Sequence, residues 1–396
     1  MNPPRWLEQT TDAGIGCYVH LPFCDRICPY CDFAVVEYQQ PRVQRYLAAL
    51  GHEISARSRA AGRLQTLYFG GGTPSALSPE QIADVADALF RYFEVDAGSV
   101  EFTLEANPAR NLDGLARWRA AGVNRLSIGV QSLDAGELHR LGRTHSAAEA
   151  IAFFDAARSA GFENISMDFI AGVPGQTGSS LEAGLGRALD RGVDHLSVYG
   201  LTIEAGTPYA RWQRQDAAAF PDDDEVAEQL TLAHEVITGA GFAHYEISNF
   251  ARPGFESAHN FGYWRQRACV AFGMSAAGYE EGVRYRNARD YVAYCTALES
   301  GASPQAEREV LSAAGRIGEA AMLALRTQRG IEHADFRTRF GVDVARVFAA
   351  ATKKCMTAGL LEGDAQAIRL TQRGQLLANS VCAEFLQPEL QAVTMA

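Results

Sequence analysis

From Gly16 to Thr202 the chain alternates between two hydrophobic periods. Short strand-like runs read "GCYVHLP", "TLYFGGG", "EFTLEANP", "NRLSIGVQS", "NISMDFIAGVP" and "HLSVYGLT". Between them, apolar residues return every three or four positions, the spacing of a helix that buries one face. Ser78 stands as an N-cap before "PEQIADVADALFRYF", and Gly122 closes "LDGLARWRAAG". Six successive β-then-α units predict a parallel sheet with right-handed crossovers, doubly wound or curved into a barrel. Three cysteines, a glycine run, Glu105, Gln131 and Asp168 all stand at the carboxyl ends of these strands, where parallel α/β folds carry their sites.

Near Phe250 the pattern breaks. "YEISNFARPGFESAHNFGYW" mixes aromatic and turn residues and predicts a connector. From Pro304 the pattern is helical, through "EREVLSAAGRIGEAAMLALRT", "ADFRTRFG" and "DVARVFAAATKKCMTAGL", then a hairpin-like "LEGDAQAIRLT" and a final helix. Helices, a small β-wing and a helix predict a winged-helix-like α+β domain. The expected organisation is a core at 1–245, a connector at 246–303 and this domain at 304–396.

Winged helices often bind DNA, but from Pro304 onward there are 11 Lys and Arg against 10 Asp and Glu. With a net charge of −11 for the whole chain, no nucleic-acid partner is expected. No apolar run approaches the roughly 18 residues of a spanning helix. The N-terminus, with Arg5, Glu8 and Asp12, has no apolar core, so no leader peptide is expected. Eight cysteines in 396 residues do not make a disulfide framework, and the expected compartment is the cytoplasm.

The densest chemistry is "HLPFCDRICPYCDF". Cys24, Cys28 and Cys31 follow a CxxxCxxC spacing, whereas Cys17, Cys269, Cys295, Cys355 and Cys382 are scattered. Three thiolates can hold three irons of a [4Fe–4S] cluster and leave the fourth iron open to a small chelating molecule. The amino and carboxylate groups of S-adenosylmethionine (SAM) suit such an iron. Two other readings use the same residues. "CPYC" alone is a redox dithiol pattern, and a zinc knuckle would need a fourth ligand, for which His20 is nearest.

Cys24, Cys28 and Cys31, with the aromatic Tyr30, resemble the radical SAM signature. The surrounding sequence is similar to the oxygen-independent coproporphyrinogen III oxidase-like branch of that superfamily, most closely its haem chaperones. The resemblance covers nearly the whole chain. It implies a partial (β/α)6 radical SAM barrel with the C-terminal winged-helix-like domain, holding a [4Fe–4S] cluster, SAM and haem. It likens Gly70, Gly71 and Gly72 of "YFGGGTPS", with Thr73 beside them, to the loop that holds the methionyl ammonium. A glycine run by itself is most often only a tight turn. Similarity further assigns cofactor contacts to Tyr18, Tyr30, Glu105, Gln131, Arg143 and Asp168, with Arg143 of "LGRTH" offering a cation to the methionyl carboxylate.

"HNFGYW" matches the HNxxYW motif of the haem chaperones. The resemblance implies that His259 ligates haem iron axially and that Tyr263 and Trp264 offer aromatic faces to the porphyrin. Ala277 stands near a position where relatives carry a histidine. Phe33 stands where coproporphyrinogen dehydrogenases continue the signature with another cysteine, and only 17 residues precede Tyr18, where those enzymes carry a longer arm. Both differences favour haem transfer to acceptor proteins over the enzymatic alternative, SAM-dependent oxidative decarboxylation of coproporphyrinogen propionates. The family also implies an electron donor such as flavodoxin or ferredoxin.

Overall fold

The computed structural model describes residues 14–57, 62–95, 98–108 and 112–389. The expectation that rests on Arg5, Glu8 and Asp12 lies outside the described residues.

All six β/α units are present. Strands β1 (Ile15–Leu21), β2 (Arg63–Gly71), β3 (Glu101–Ala106), β4 (Arg125–Gln131), β5 (Asn164–Ala171) and β6 (His195–Gly200) run parallel, each beside the next. Helices Gln40–Arg57, Pro79–Phe90, Leu115–Ala120, Ala147–Ser159, Gly178–Asp190 and Asp223–Gly239 follow them in turn. Ser78, Ser146, Thr177 and Asp222 open four of these helices with reciprocal capping boxes, so orphan N–H groups at each start are satisfied locally. Gly122 takes φ +98° after the Leu115–Ala120 helix, a conformation that favours glycine.

The strands have two unlike faces. Leu67 and Phe69, Phe102 and Leu104, Leu126 and Ile128, Met167 and Phe169, and Leu196 and Val198 enter one apolar core beneath the helices. The alternate positions point inward and are polar: Thr66 and Tyr68, Thr103 and Glu105, Arg125 and Ser127, Ser166 and Asp168, His195 and Ser197. Parallel sheets covered on both faces are ordinarily apolar on both. This one keeps a polar concave face, as a ligand-holding interior requires.

The segment expected as a connector, 246–303, contributes strands to the sheet. Strand β7 (Ala243–Glu246) pairs with β8 (Asn249–Ala251), which extends β6 antiparallel. At the far edge β9 (Cys269–Phe272) lies parallel to β1, and β10 (Ala277–Glu280), β11 (Val283–Asn287) and β12 (Gln305–Val310) continue antiparallel. The main-sheet order is β7-β8-β6-β5-β4-β3-β2-β1-β9-β10-β11-β12. The path has two ends, so the sheet is an open, partial barrel. Turn residues and aromatics hid these strands because each is only three to six residues long.

Because Gln305–Val310 closes the sheet edge, the C-terminal unit with its own core begins at the Ala313–Leu325 helix. That core gathers Ile317, Leu325, Phe336, Val347, Ile368 and Phe385 around a three-stranded wing in the order Ile331–Glu332, Ala367–Leu370, Leu361–Gly363. It docks on the barrel through backbone bonds from Ile247 to Arg326 and from Gln328 to Tyr245, with the Arg326 guanidinium over the Trp264 ring.

Glu53 anchors the β9–β12 extension. This fully buried carboxylate accepts from Arg57 at 2.9 Å, the Gly273 N–H at 2.8 Å, Asn287 at 2.7 Å and Tyr294 at 2.7 Å. One side chain therefore ties the first helix to the turn after β9, to β11 and to the Tyr291–Glu299 helix. Glu53→Ala removes the acceptor shared by Arg57, Gly273, Asn287 and Tyr294 and is expected to cost about 3 kcal/mol or more. Urea unfolding of the two proteins measures this; a change below about 0.5 kcal/mol would mean that the cluster of bonds is dispensable.

Candidate functional site

Two constellations occupy opposite ends of the barrel. The three cysteines lie at the carboxyl ends of the strands, on a loop bracketed by the short parallel pair Phe23–Cys24 and Val36–Glu37. All three thiols are partly accessible, whereas Cys17, Cys269, Cys295, Cys355 and Cys382 are buried, and all eight are free. Burial pushes the Cys24 thiol up to about 11, and the Cys31 thiol also rises, chiefly by burial. The neighbouring thiols add to both shifts, so the three lie within electrostatic reach of one another. Thr73 Oγ1 is 3.5 Å from Cys24 Sγ, and Arg143 donates to Cys28 Sγ at 3.7 Å.

Among the described residues, no three His, Cys, Asp or Glu side chains gather tightly enough to hold one metal ion. A cubane makes a different demand, since each thiolate holds its own iron. His20, the fourth ligand of the zinc alternative, is committed elsewhere: its Nε2 lies 2.8 Å from the Ala34 carbonyl and its Nδ1 3.0 Å from Tyr18 Oη.

The other expected contacts surround this loop. Tyr30 packs on Leu141, Ile170 and Val173 and edge-on to Tyr209. Gly71 has φ +115°, and a Cβ there would fall 2.6 Å from the His20 ring; one on Gly70 would fall 3.0 Å from Glu105 Oε1. The glycine run is thus a close-approach cradle. Its N–H groups are spent internally, Gly71 on Glu105, Gly72 on Leu21 and Thr73 on Phe23. It is therefore poor in free donors, which suits a ligand that brings its own, such as an ammonium.

Glu105 also accepts from Tyr68 Oη at 2.9 Å, and burial raises its carboxyl to about 7. Asp168 takes Ser127 Oγ on both oxygens and Ser166 Oγ on one, and burial raises it too. Gln131 ends β4 at φ +67°, a left-handed conformation uncommon for a non-glycine and frequent at functional positions. Arg143 donates to the Gly129 carbonyl at 2.8 Å, and its buried Nε has no protein partner. Three neighbouring thiols, a glycine cradle, two carboxylates and a partly unspent guanidinium form a donor set that fits a thiolate-held cluster with a zwitterionic ligand beside it.

"HNFGYW" forms the Ala258–Trp264 helix, which plugs the amino end of the barrel. Glu101, the first residue of β3, accepts the Ala258 and His259 N–H groups, each at 2.9 Å. His259 is 3% exposed; its Nδ1 is 2.8 Å from Thr66 Oγ1 and its Nε2 2.9 Å from Tyr263 Oη. Burial pushes its imidazole down to about 3. Axial ligation by His259 would require the Thr66 or the Tyr263 bond to be given up. Both ring nitrogens are spent, and the cavity beside the ring measures about 10 Å³, room for no more than a water. Trp264 is likewise occupied, beneath Arg326. Tyr263 and Ala277 both line a separate cavity of about 650 Å³.

The matches to known proteins fall on the barrel and on the C-terminal unit. Residues 18–185 match the radical SAM superfamily and residues 311–377 the HemN C-terminal domain. The heme chaperone HemW of Bacillus subtilis (strain 168) is 35% identical over 93% of this chain and 98% of its own length. That of Mycobacterium tuberculosis (strain H37Rv) is 36% identical over 94% of each. The chain belongs to the HemW family. Its fold is also that of coproporphyrinogen III oxidase (HemN) from Escherichia coli, a radical SAM enzyme, with a TM-score of 0.84, 25% identity and coverage of 96% and 92%. Beyond the residues singled out from sequence, the geometry adds Tyr68, Ser127, Ser166 and Arg125 to the interior of this HemW-family barrel. The polar alternation within each strand was the signal that marks them.

Glu105 gives the site a pH signature. Its folded value of about 7 stands above the ordinary 4.5, so the neutral carboxyl is favoured by folding. Its contribution is full below the unfolded value and is lost as pH rises through the folded one. Glu105→Gln should therefore gain stability relative to wild type between about pH 5 and about pH 7, then hold level to about pH 8. Glu246, also raised to about 7 by burial, acts on both proteins and cancels in the difference. Melting curves across this range measure it; a difference flat with pH would return Glu105 to the ordinary carboxylate range.

Proposed function

We propose that this chain is a haem chaperone that holds a [4Fe–4S] cluster on Cys24, Cys28 and Cys31, binds SAM beside it, and passes haem to acceptor proteins. The observation that carries the cofactor half is the set of three neighbouring thiols, with Thr73 beside Cys24, Arg143 beside Cys28, and the glycine cradle next to Thr73 bonded to Glu105. When bound, the cluster supplies an open iron that SAM can chelate. The chain's own residues would do the rest. The glycine cradle and Glu105 receive the ammonium, Arg143 receives the carboxylate, and Gln131, Asp168, Tyr18 and Tyr30 bound the nucleoside side.

The chaperone half is supported by membership of the HemW family and by Phe33. This side chain is 72% exposed on the cysteine loop and offers no thiol where the dehydrogenases have one. Among the described residues no helix is long and apolar enough to cross a membrane. We place the protein in the cytoplasm, with a flavodoxin- or ferredoxin-type donor and no nucleic-acid partner.

Anaerobic reconstitution should yield about four irons and four sulfides per chain. Changing Cys24, Cys28 or Cys31 to Ala should abolish the cluster, whereas Cys355→Ala, in the C-terminal core, should leave it. The same preparation should bind haem yet leave coproporphyrinogen III unconverted when reduced and supplied with SAM. Stoichiometric zinc without iron–sulfur absorbance would refute the cluster; sustained conversion would assign the chain to the oxidative decarboxylases.

A further inference from the structure

We propose that the cleft between the sheet edge at β6–β8 and the C-terminal unit binds a small hydroxycarboxylate, its charge held by Arg326 and its hydroxyl by His234. No residue of the thiol loop or of the "HNFGYW" helix lines this cleft, so the inference goes beyond the haem-chaperone reading and does not depend on it.

The cleft encloses about 380 Å³ at a junction between units, a size and a place where small-molecule pockets are common. Leu230, Ile247 and Phe250 give it an apolar wall, and Gln375, Asn379 and Ser380 line it from the C-terminal unit. Its charge is one-sided. The chain holds 47 Asp and Glu, yet none lines the cleft, whereas Arg326, His234 and His244 do. The guanidinium groups of the larger cavity beside β1 and β9 are already paired, Arg284 with Glu309 and Glu319 and Arg286 with Glu307. Arg326 differs. Its Nη1 donates to Asn379 Oδ1 at 3.0 Å, its guanidinium lies over the Trp264 ring, and its buried Nε has no hydrogen-bond partner. Among the described residues no carboxylate forms an ion pair with it. Glu246 feels its charge, but that carboxyl is outside the lining and burial raises it to about 7, so it is an incomplete counter-ion. A guanidinium held on an aromatic face with its fork unpaired is preorganised for a carboxylate.

The imidazoles add a second requirement. His234 Nδ1 and His244 Nδ1 are 3.0 Å apart, and His244 Nε2 is 3.3 Å from the Ile247 carbonyl. A carbonyl only accepts, so His244 carries its proton on Nε2; burial pushes its imidazole down to about 4, which keeps it neutral. His244 Nδ1 is then the acceptor, and His234 Nδ1–H the donor, of the contact between them. In neutral His234 this leaves Nε2 with a lone pair and no hydrogen-bond partner among the described residues, on a side chain that lines the cleft. Such a lone pair repels a bare oxyanion and accepts from a hydroxyl. A hydroxycarboxylate supplies both groups: one negative charge for one guanidinium, and an O–H for the imidazole. A phosphate monoester suits the cleft less, because at neutral pH it is close to a dianion and has lost its O–H. The lining comes from β6–β8 and from the Gln372–Leu376 and Ala378–Ala383 helices, so an occupant touches both units and stabilises the docked chain by mass action.

The test is calorimetric titration and melting of the full chain with four probes: mandelate, an α-hydroxycarboxylate; phenylacetate, which has the charge alone; benzyl alcohol, which has the hydroxyl alone; and phenyl phosphate. Mandelate should bind wild type, raise its melting temperature, and bind about fivefold or more tighter than phenylacetate or phenyl phosphate. Benzyl alcohol should not bind. Arg326→Gln should lower mandelate affinity about tenfold or more. Ser380→Glu, at an exposed position, puts a carboxylate in the lining from another element and should do the same, so the site is tested even if Arg326→Gln fails to fold. His234→Phe should erase the preference for mandelate over phenylacetate. Arg284→Gln, an equal loss of charge at the other cavity, should match wild type. No binding of mandelate by wild type at millimolar concentration overturns the inference. So does affinity unchanged in both Arg326→Gln and Ser380→Glu, an equal loss in Arg284→Gln, or a preference for mandelate that survives His234→Phe. Phenylacetate, phenyl phosphate or benzyl alcohol binding as tightly as mandelate overturns the assignment of the ligand class. Neither cluster assembly nor haem binding is read in this experiment, so its failure leaves the haem-chaperone reading where the reconstitution test puts it.

Discussion

Everything in this molecule depends on strands that keep their two faces chemically apart. A strand sends alternate side chains to opposite sides, so one residue of slip in β3 would carry Glu105 into the apolar core and Leu104 into the interior. The helices bury the outward set and so fix the register. The inward set is thereby delivered at fixed height: Arg125, Ser127 and Gln131 up β4, and Ser166 and Asp168 up β5. Burying so many polar groups adds little to stability, because each hydrogen bond mostly replaces one to water. The outer core has to supply the folding energy that the interior does not.

That division connects the two ends of the barrel. Tyr68 donates to Glu105 at the upper site and stacks on the His259 ring at 5.0 Å; His259 meets Tyr263 edge-on at 4.8 Å. Tyr18, expected as a cofactor contact, stacks on Tyr68 at 6.1 Å and lines the same cavity as Tyr263. The thiol loop and the "HNFGYW" helix are therefore joined by a continuous run of aromatic side chains projecting from β1 and β2. Tyr68 touches both ends, so a shift of its ring would be felt at each.

The parallel units were legible because their signals are local: apolar runs, capping residues and closing glycines within one element. The thiol site was legible because its spacing lies within eight positions of the sequence, from Cys24 to Cys31. The edge strands of 246–303 were not, because β9 pairs with β1 across some 250 positions and only tertiary contact makes it a strand. The place of His259 was hidden for a related reason. A motif gives the identity of an imidazole and not the partners of its nitrogens, and both partners, Thr66 and Tyr263, are set by where the helix docks. The same applies to Gly71, whose tight fit comes from His20 across the sheet.

Charge in the interior follows from this geometry. Glu105 and Asp168 sit on neighbouring faces of one buried space, and burial resists the ionisation of each. The hydroxyls of Tyr68, Ser127 and Ser166 offset part of that cost but carry no full charge. A cationic ligand drawn between them changes the balance, since an opposite charge at close range favours the carboxylate form and lowers both pKa values toward the ordinary range. Loading such a ligand is then coupled to proton release from the protein. Preference for a cation would arise even though Glu105 need not be fully charged beforehand. An anion or a neutral molecule of the same shape gains nothing from this exchange, so the buried pair discriminates by charge as well as by fit.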